Sequence, residues 1–192
     1  MKVSKRRRSE NKTDYLKRLK LLKSEAPRIV FRRTNRYIIA QYVISIEAQD
    51  KVELGITSRK LKEYGWPEEF DGSLKSVTAA YLTGFLMGKE IIKKKMETPI
   101  VDFGMTRVLS QNKTFAFIKG LVDAGIKVKC PEEHFPDEER ISGKHLREDF
   151  SKIFKEIKLK IEGGKQEVSH SNRENSIRKS EAVHSTKSVK KK

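Results

Sequence analysis

The run Arg28-Ile29-Val30-Phe31-Arg32-Arg33-Thr34-Asn35-Arg36-Tyr37-Ile38-Ile39-Ala40-Gln41-Tyr42-Val43-Ile44 decides how this chain is read. Two segments rich in β-branched and aromatic residues flank a short polar break, which is the pattern of a β-hairpin. Asn35 tolerates the positive φ that such a turn asks for. A third β-rich run at residues 52–57 follows closely, so the region predicts an antiparallel meander. Alternation along the first strand sets Arg28 and Arg32 on one face, with Ile29, Phe31 and Arg33 on the other and Arg36 across the turn.

Working toward the N-terminus, residues 1–12 are polar and charged and read as an extended arm, with Lys5-Arg6-Arg7-Arg8 in one block. Thr13 is placed to cap a short helix reaching Ser24, and Pro27 stops it. Toward the C-terminus, Ser73 is placed to open a long helix ending near residue 95, with Val77, Tyr81, Phe85 and Ile92 on one face. Ala80, Gly84 and Gly88 recur at four-residue spacing, which predicts close approach of that helix to the sheet. Residues 99–103 predict a short strand closed by Gly104, and Asn112 caps a helix over residues 113–124. A further strand is expected at residues 126–129. A last helix is expected over residues 144–161, with the stripe Leu146, Phe150, Ile153, Phe154, Ile157 and Ile161. The fold class is therefore α/β: an antiparallel meander plus further strands in a mixed sheet, with helices packed on it.

Charge divides the chain into three parts. The net charge is +17, from 43 Lys and Arg against 26 Asp and Glu. Residues 1–36 hold 14 basic and 3 acidic residues, residues 163–192 hold 8 and 3, and the stretch between is nearly balanced. This gives a basic arm with its short helix at residues 1–26, an α/β domain at 27–162, and a basic low-complexity tail at 163–192. The tail has too few apolar residues to build a core and is expected to be disordered alone. A near-neutral globule with two basic ends is the layout of a folded module that binds a polyanion, with nucleic acid ahead of an acidic membrane surface.

Other classes fare worse. Cys130 is alone, which removes an intramolecular disulfide and a cysteine-based zinc site. No apolar run of the length of a secretory core follows the basic N-terminus, and none approaches the ~18 residues of a membrane span. Walker-type, GxSxG and HExxH motifs are absent, so no cofactor, metal or catalytic residue is assigned. Asp102 ends a strand where a nuclease would hold a metal, but Glu47, Asp50 and Asp123 are its partners only by assumption.

The strongest binding candidates are Arg28, Arg32, Arg33, Asn35 and Arg36. The planar fork of arginine bridges phosphate oxygens or stacks on an unstacked base. Edge charge that blocks aggregation is the plainer reading. RNA contact is favoured because no acid within the hairpin offsets its four arginines. Lys5, Arg6, Arg7, Arg8, Lys12, Lys17, Arg18, Lys20 and Lys23 form the second candidate group, a helix with basic residues on most of its polar positions behind a basic block.

Five motifs in register then carry a family resemblance: residues 28–41 as quoted, Tyr64-Gly65-Trp66, Ala80-Tyr81-Leu82-Thr83-Gly84, residues 115–125 (FAFIKGLVDAG) and residues 135–143 (FPDEERISG). Together they resemble large-ribosomal-subunit protein eighteen of the archaeal and eukaryotic type, over roughly residues 5–161. The resemblance implies a fold of ribonuclease-H-like topology without catalysis. It also implies binding of 5S rRNA, large-subunit rRNA and neighbouring large-subunit ribosomal proteins in the central protuberance of a cytoplasmic ribosome, with no membrane partner. By motif it carries RNA contact to Arg32, Arg33, Asn35 and Arg36, more loosely to the arm, and weakly to Arg107 and Lys113. The chain departs from the pattern at Leu54-Gly55-Ile56 and after Gly164. The alternative from another class is an RNA-processing nuclease on the same fold.

Overall fold

A computed structural model describes residues 3–145 and 150–163. Strands β1 (Arg28–Arg33) and β2 (Ile38–Ile46) pair antiparallel, with Arg33 opposite Ile38 and Arg28 opposite Val43. The turn between them is built differently from expectation: Asn35 does not adopt a positive φ. Thr34 closes it instead. Its N–H and hydroxyl donate to the Tyr37 carbonyl at 2.9 and 2.7 Å, and the hydroxyl oxygen accepts from the Tyr37 N–H at 3.0 Å.

Positive φ appears in the next turn. Strand β3 (Gln49–Thr57) begins at Gln49, earlier than hydrophobicity predicts, and pairs Gln49 with Ile46. That leaves a two-residue loop, Glu47-Ala48, with φ of 49° and 65°. Two left-handed residues match the twist of the flanking strands, and side chains other than Gly or Asn adopt that conformation only under strain. Strand β4 (Ile100–Asp102) lies parallel to β1, so the sheet order is β3-β2-β1-β4. This is the mixed α/β sheet the sequence implies.

The helices follow their caps. The arm is not extended throughout: α1 (Arg6–Ser9) is a single helical turn. In α2 (Tyr15–Lys23) the cap is Asp14 rather than Thr13, its Oδ1 accepting from the Leu16 and Lys17 N–H groups at 3.1 and 3.3 Å. Helix α3 (Val77–Lys93) starts after Ser76, not at Ser73, because the Ser76 hydroxyl oxygen accepts from the Ala79 N–H at 3.1 Å. Helix α4 (Lys113–Asp123) is capped by Asn112 as expected. It ends in a Schellman motif: the Gly125 and Ile126 N–H groups donate to the carbonyls of Val122 and Leu121 at 2.9 and 3.0 Å. The segment after it buries Ile126 against the core without joining a ladder, so the strand expected at 126–129 does not form.

Of the helix expected over residues 144–161, the described part is α6 (Ser151–Glu162); a separate short helix, α5 (Glu138–Ser142), lies before the expected start. Leu146 and the tail from residue 164 lie outside the described residues. Phe150 precedes α6 at 2% exposure, its ring 4.9 Å from Trp66 and 5.5 Å from Phe70. Phe154, Ile157 and Ile161 continue that apolar face.

The glycines of α3 turn out to serve a helix, not the sheet. A Cβ on Gly84 would meet the Phe117 carbonyl oxygen at 2.3 Å, and one on Gly120 would meet the Tyr81 oxygen at 2.2 Å. Backbones this close exclude any side chain at the crossing. Gly84 abuts Phe117 and Gly88 abuts Ala124, so contacts advance in the same direction along both helices. Helices α3 and α4 therefore run parallel, and their N-termini lie at one end.

Candidate nucleic-acid interface

The arginines of the first hairpin fall into two groups. At its base Arg28 is buried, 3% exposed, which removes it from the binding candidates. Its Nη2 donates to Asp50 Oδ1 at 2.7 Å and to the Ser45 hydroxyl at 2.8 Å. Asp50 comes from β3, and its other oxygen accepts from Arg18 Nη2 at 3.1 Å. Arg18 thus ties α2 to the sheet. Burial opposes ionisation of Asp50, but the bonds from Ser45 and Arg18 and the charges of Arg28 and Arg18 outweigh it and hold the carboxyl below its ordinary range.

Arg32 is held almost as firmly. Its Nη2 donates to Asp102 Oδ2 at 2.9 Å, and its Nη1 to the carbonyls of Phe31 and Asp102 at 2.8 and 2.9 Å. The guanidinium lies against Gly104, where φ is +61° and a Cβ would sit 2.9 Å from Arg32 Cζ. The Gly104 N–H donates to Asp102 Oδ1 at 2.8 Å. Burial again raises the Asp102 pKa, yet the bonds from Gly104 and Arg32 and the charges of Arg32 and Lys17 bring it below the usual range. The expectation that no acid offsets the hairpin arginines is therefore corrected for two of them. The acids come from β3 and β4, outside the hairpin.

The same bonds bear on the carboxylates weighed for metal chemistry. Both oxygens of Asp102 are engaged by Arg32 and Gly104, those of Asp50 by two arginines and Ser45, and Asp123 accepts from the Tyr81 hydroxyl at 2.7 Å. Glu47 sits in the β2–β3 turn. Each of the three aspartates has a structural task.

The tip is different. Arg33, Asn35 and Arg36 are exposed, on a turn fixed by Thr34, and no carboxylate among the described residues pairs with either arginine. Lys113 is half-buried at the first position of α4. Its burial, and then the nearby charges of Arg33 and Lys75, push its pKa down. Lys113, at the start of α4, therefore lies within electrostatic reach of Arg33, which ends β1 at the tip, and of the exposed Lys75 just before α3. Sequence reasoning misses Lys75 because its place is set by the parallel pairing of α3 and α4. Arg107 is exposed in the loop after Gly104.

In the arm, Arg7 Nε donates to the Thr13 hydroxyl at 3.0 Å, and Arg8 lies 4.0 Å from Asp14. Arg6 and Lys12 face Glu10 at 3.8 and 2.8 Å, and the Lys5 ammonium sits 4.5 Å over the Tyr15 ring. These exposed pairs are weak and give way readily to a stronger anion. Lys17, Lys20 and Lys23 are exposed along α2, with Lys17 Nζ 3.4 Å from the Gly104 carbonyl. Between α2 and the strands lies a polar cleft of about 130 Å³, whose lining includes Arg7, Lys12, Lys17 and Arg32.

Residues 1–100 match the family model of ribosomal large subunit proteins 60S L5 and 50S L18. Large ribosomal subunit protein uL18 of Korarchaeum cryptofilum (strain OPF8) is 44% identical over 158 residues, which is 82% of this chain and 79% of that protein. The chain belongs to this family. The uL18 of Methanoculleus marisnigri is 43% identical over 143 residues, 74% of this chain and 79% of its own length. That of Caldivirga maquilingensis is 40% identical over 146 residues, 76% of this chain and 69% of its own.

As a uL18-family member the chain is a structural component of the large ribosomal subunit, and the resemblance read from the five motifs holds. A ribosomal role also gives the charge layout a physical sense. Arg28, buried at the hairpin base, stabilises the uL18-type domain, whereas Arg33 and Arg36 at its tip and the lysines of α2 stay exposed.

Proposed function

We propose that this chain binds 5S rRNA and anchors it to large-subunit rRNA in the central protuberance of a cytoplasmic ribosome, beside neighbouring large-subunit proteins and without catalysis. The observation that carries the reading is the hairpin tip. Arg33, Asn35 and Arg36 are exposed on a turn pinned by Thr34, without carboxylate partners among the described residues, in a chain of the ribosomal L18 family. A rigid turn holds its forks at fixed separation and so suits the shape of a folded RNA, whereas a mobile cation follows any phosphate track. Lys5, Arg6, Arg7, Arg8, Lys12, Lys17, Lys20 and Lys23 then add affinity along the backbone, and Arg107 and Lys113 extend the surface. Arg28 contributes by holding the sheet; Arg32, its side chain 42% exposed beside Asp102, fixes the strand that carries Arg33 and presents its open face to the RNA.

The experiment is ultraviolet crosslinking of the protein in assembled large subunits, followed by sequencing of the attached RNA and mapping of the crosslinked peptides. Crosslinks from the peptide spanning residues 33–36 should fall in 5S rRNA. Crosslinks from that peptide to large-subunit rRNA alone would contradict the assignment.

A further inference from the structure

The cluster Arg33, Lys75 and Lys113 has no use inside the fold. Arg33 and Lys75 are exposed and Lys113 is half-buried, and no carboxylate among the described residues pairs with any of the three. Like charges gathered without a counter-charge destabilise the free protein. The same strand shows how the chain compensates other cations: the buried Arg28 and the half-exposed Arg32 each receive an aspartate.

The helix geometry gives the same locus a positive sign. Helices α3 and α4, of 17 and 11 residues, run parallel with their N-termini at one end, capped by Ser76 and Asn112. Lys75 immediately precedes the first cap, and Lys113 immediately follows the second. Each helix start carries about half a positive charge. On the first turn of α4 the Thr114 hydroxyl is 2% exposed and has no hydrogen-bond partner among the described residues. We infer that Arg33, Lys75 and Lys113, at the shared N-terminal end of α3 and α4, form a binding site for a phosphodiester of bound rRNA. This rests on the RNA-binding reading above and deepens it by naming a site that includes Lys75.

The ligand class follows from the donors. One arginine fork, two ammonium groups and two helix starts supply donors and no acceptor beyond hydroxyl and amide oxygens, which suits a compact anion and disfavours a base edge. The anion is assigned to the same RNA as the hairpin tip because Arg33, the last residue of β1, belongs to both.

The test uses the full chain and two RNAs, 5S rRNA and an unrelated duplex of equal length, with affinity measured across a salt series. Lys75→Gln/Lys113→Gln is compared with Lys127→Gln/Lys129→Gln, which removes the same charge beyond the far end of α4. The first pair should lower the log–log salt slope by about 0.7–0.9 for each phosphate no longer neutralised, and the second should leave it unchanged. In the wild-type chain, carbon-13 labelling of the lysine side chains should show Lys113 titrating below ordinary lysines when free and shifting upward when RNA is bound. If 5S rRNA is preferred but the slope is equal in both variants, or Lys113 does not shift, the phosphate site is wrong. If the slope difference persists while 5S rRNA is bound no better than the duplex, the site stands and the 5S assignment falls.

Discussion

The base and the tip of one hairpin carry the same residue type and put it to opposite ends. At the base Arg28 meets Asp50 from β3, and further along the same strand Arg32 meets Asp102 from β4, the latter pair wedged under Gly104. At the tip, Arg33 and Arg36 meet no acid among the described residues. A run of arginines is therefore not by itself a binding surface. Its internal share is set by which carboxylates the fold brings alongside and by how far each fork is enclosed: Arg28 is buried, whereas Arg32 keeps 42% of its side chain exposed.

The largest effect that could break this contrast is on stability. Asp50→Ala leaves the Arg28 guanidinium buried without its carboxylate, and removing one partner of a buried pair costs about 3–5 kcal/mol. Because Asp50 is one-third exposed and Ser45 remains as an acceptor, the expected loss is roughly 3 kcal/mol, at the low end of that range. Urea unfolding reads it directly. A loss within the ~0.5 kcal/mol of ordinary surface changes would place Arg28 among the free cations and erase the distinction.

A smaller effect should appear in acid. Asp50 and Asp102 both have folded pKa values below their ordinary ones. For a depressed carboxylate the stabilisation is full above the unfolded pKa, about 3.9, and is lost as pH falls from there through the folded value. Melting temperature should therefore drop more steeply below about pH 4 in the wild type than in Asp50→Asn/Asp102→Asn. The double variant starts from lower stability at neutral pH, so the two curves converge in acid. Parallel curves would show that neither pair is linked to folding.

Much of this fold is legible in the sequence, and the remainder is hidden for identifiable reasons. The strands of the hairpin, the parallel strand at Ile100, the cap at Asn112 and the apolar stripe of α6 all declare themselves through alternation, turn residues or helical spacing. The start of β3 is hidden because Gln49, Asp50 and Lys51 are polar, and its turn because Glu47 and Ala48 are unusual left-handed residues. Which way the small face of α3 points is equally hidden. Periodicity marks the face but not its partner, and the deciding residue, Gly120, lies in another helix.

The candidate site is legible to the same degree. Local sequence gives the cations, and family motifs narrow them to the hairpin. Pairing is long-range: the partners of Arg28 and Arg32 lie 22 and 70 residues away. For that reason Arg28 reads as a binding residue in the sequence and Lys75 does not. The parallel packing of α3 and α4 is what brings Lys75 and Lys113 to one place.

The most direct measurement is a competition assay at one fixed salt concentration between 5S rRNA and an unrelated duplex of equal length, using wild type and Arg33→Lys/Arg36→Lys. The substitution keeps both charges and removes the fork geometry at exposed positions, so stability should stay within about 0.5 kcal/mol of wild type. The expected result is a loss of 5S rRNA affinity clearly larger than the loss on the duplex. Equal losses on the two RNAs would contradict recognition by the tip, reduce it to a patch of positive charge, and move the search to the loop carrying Arg107.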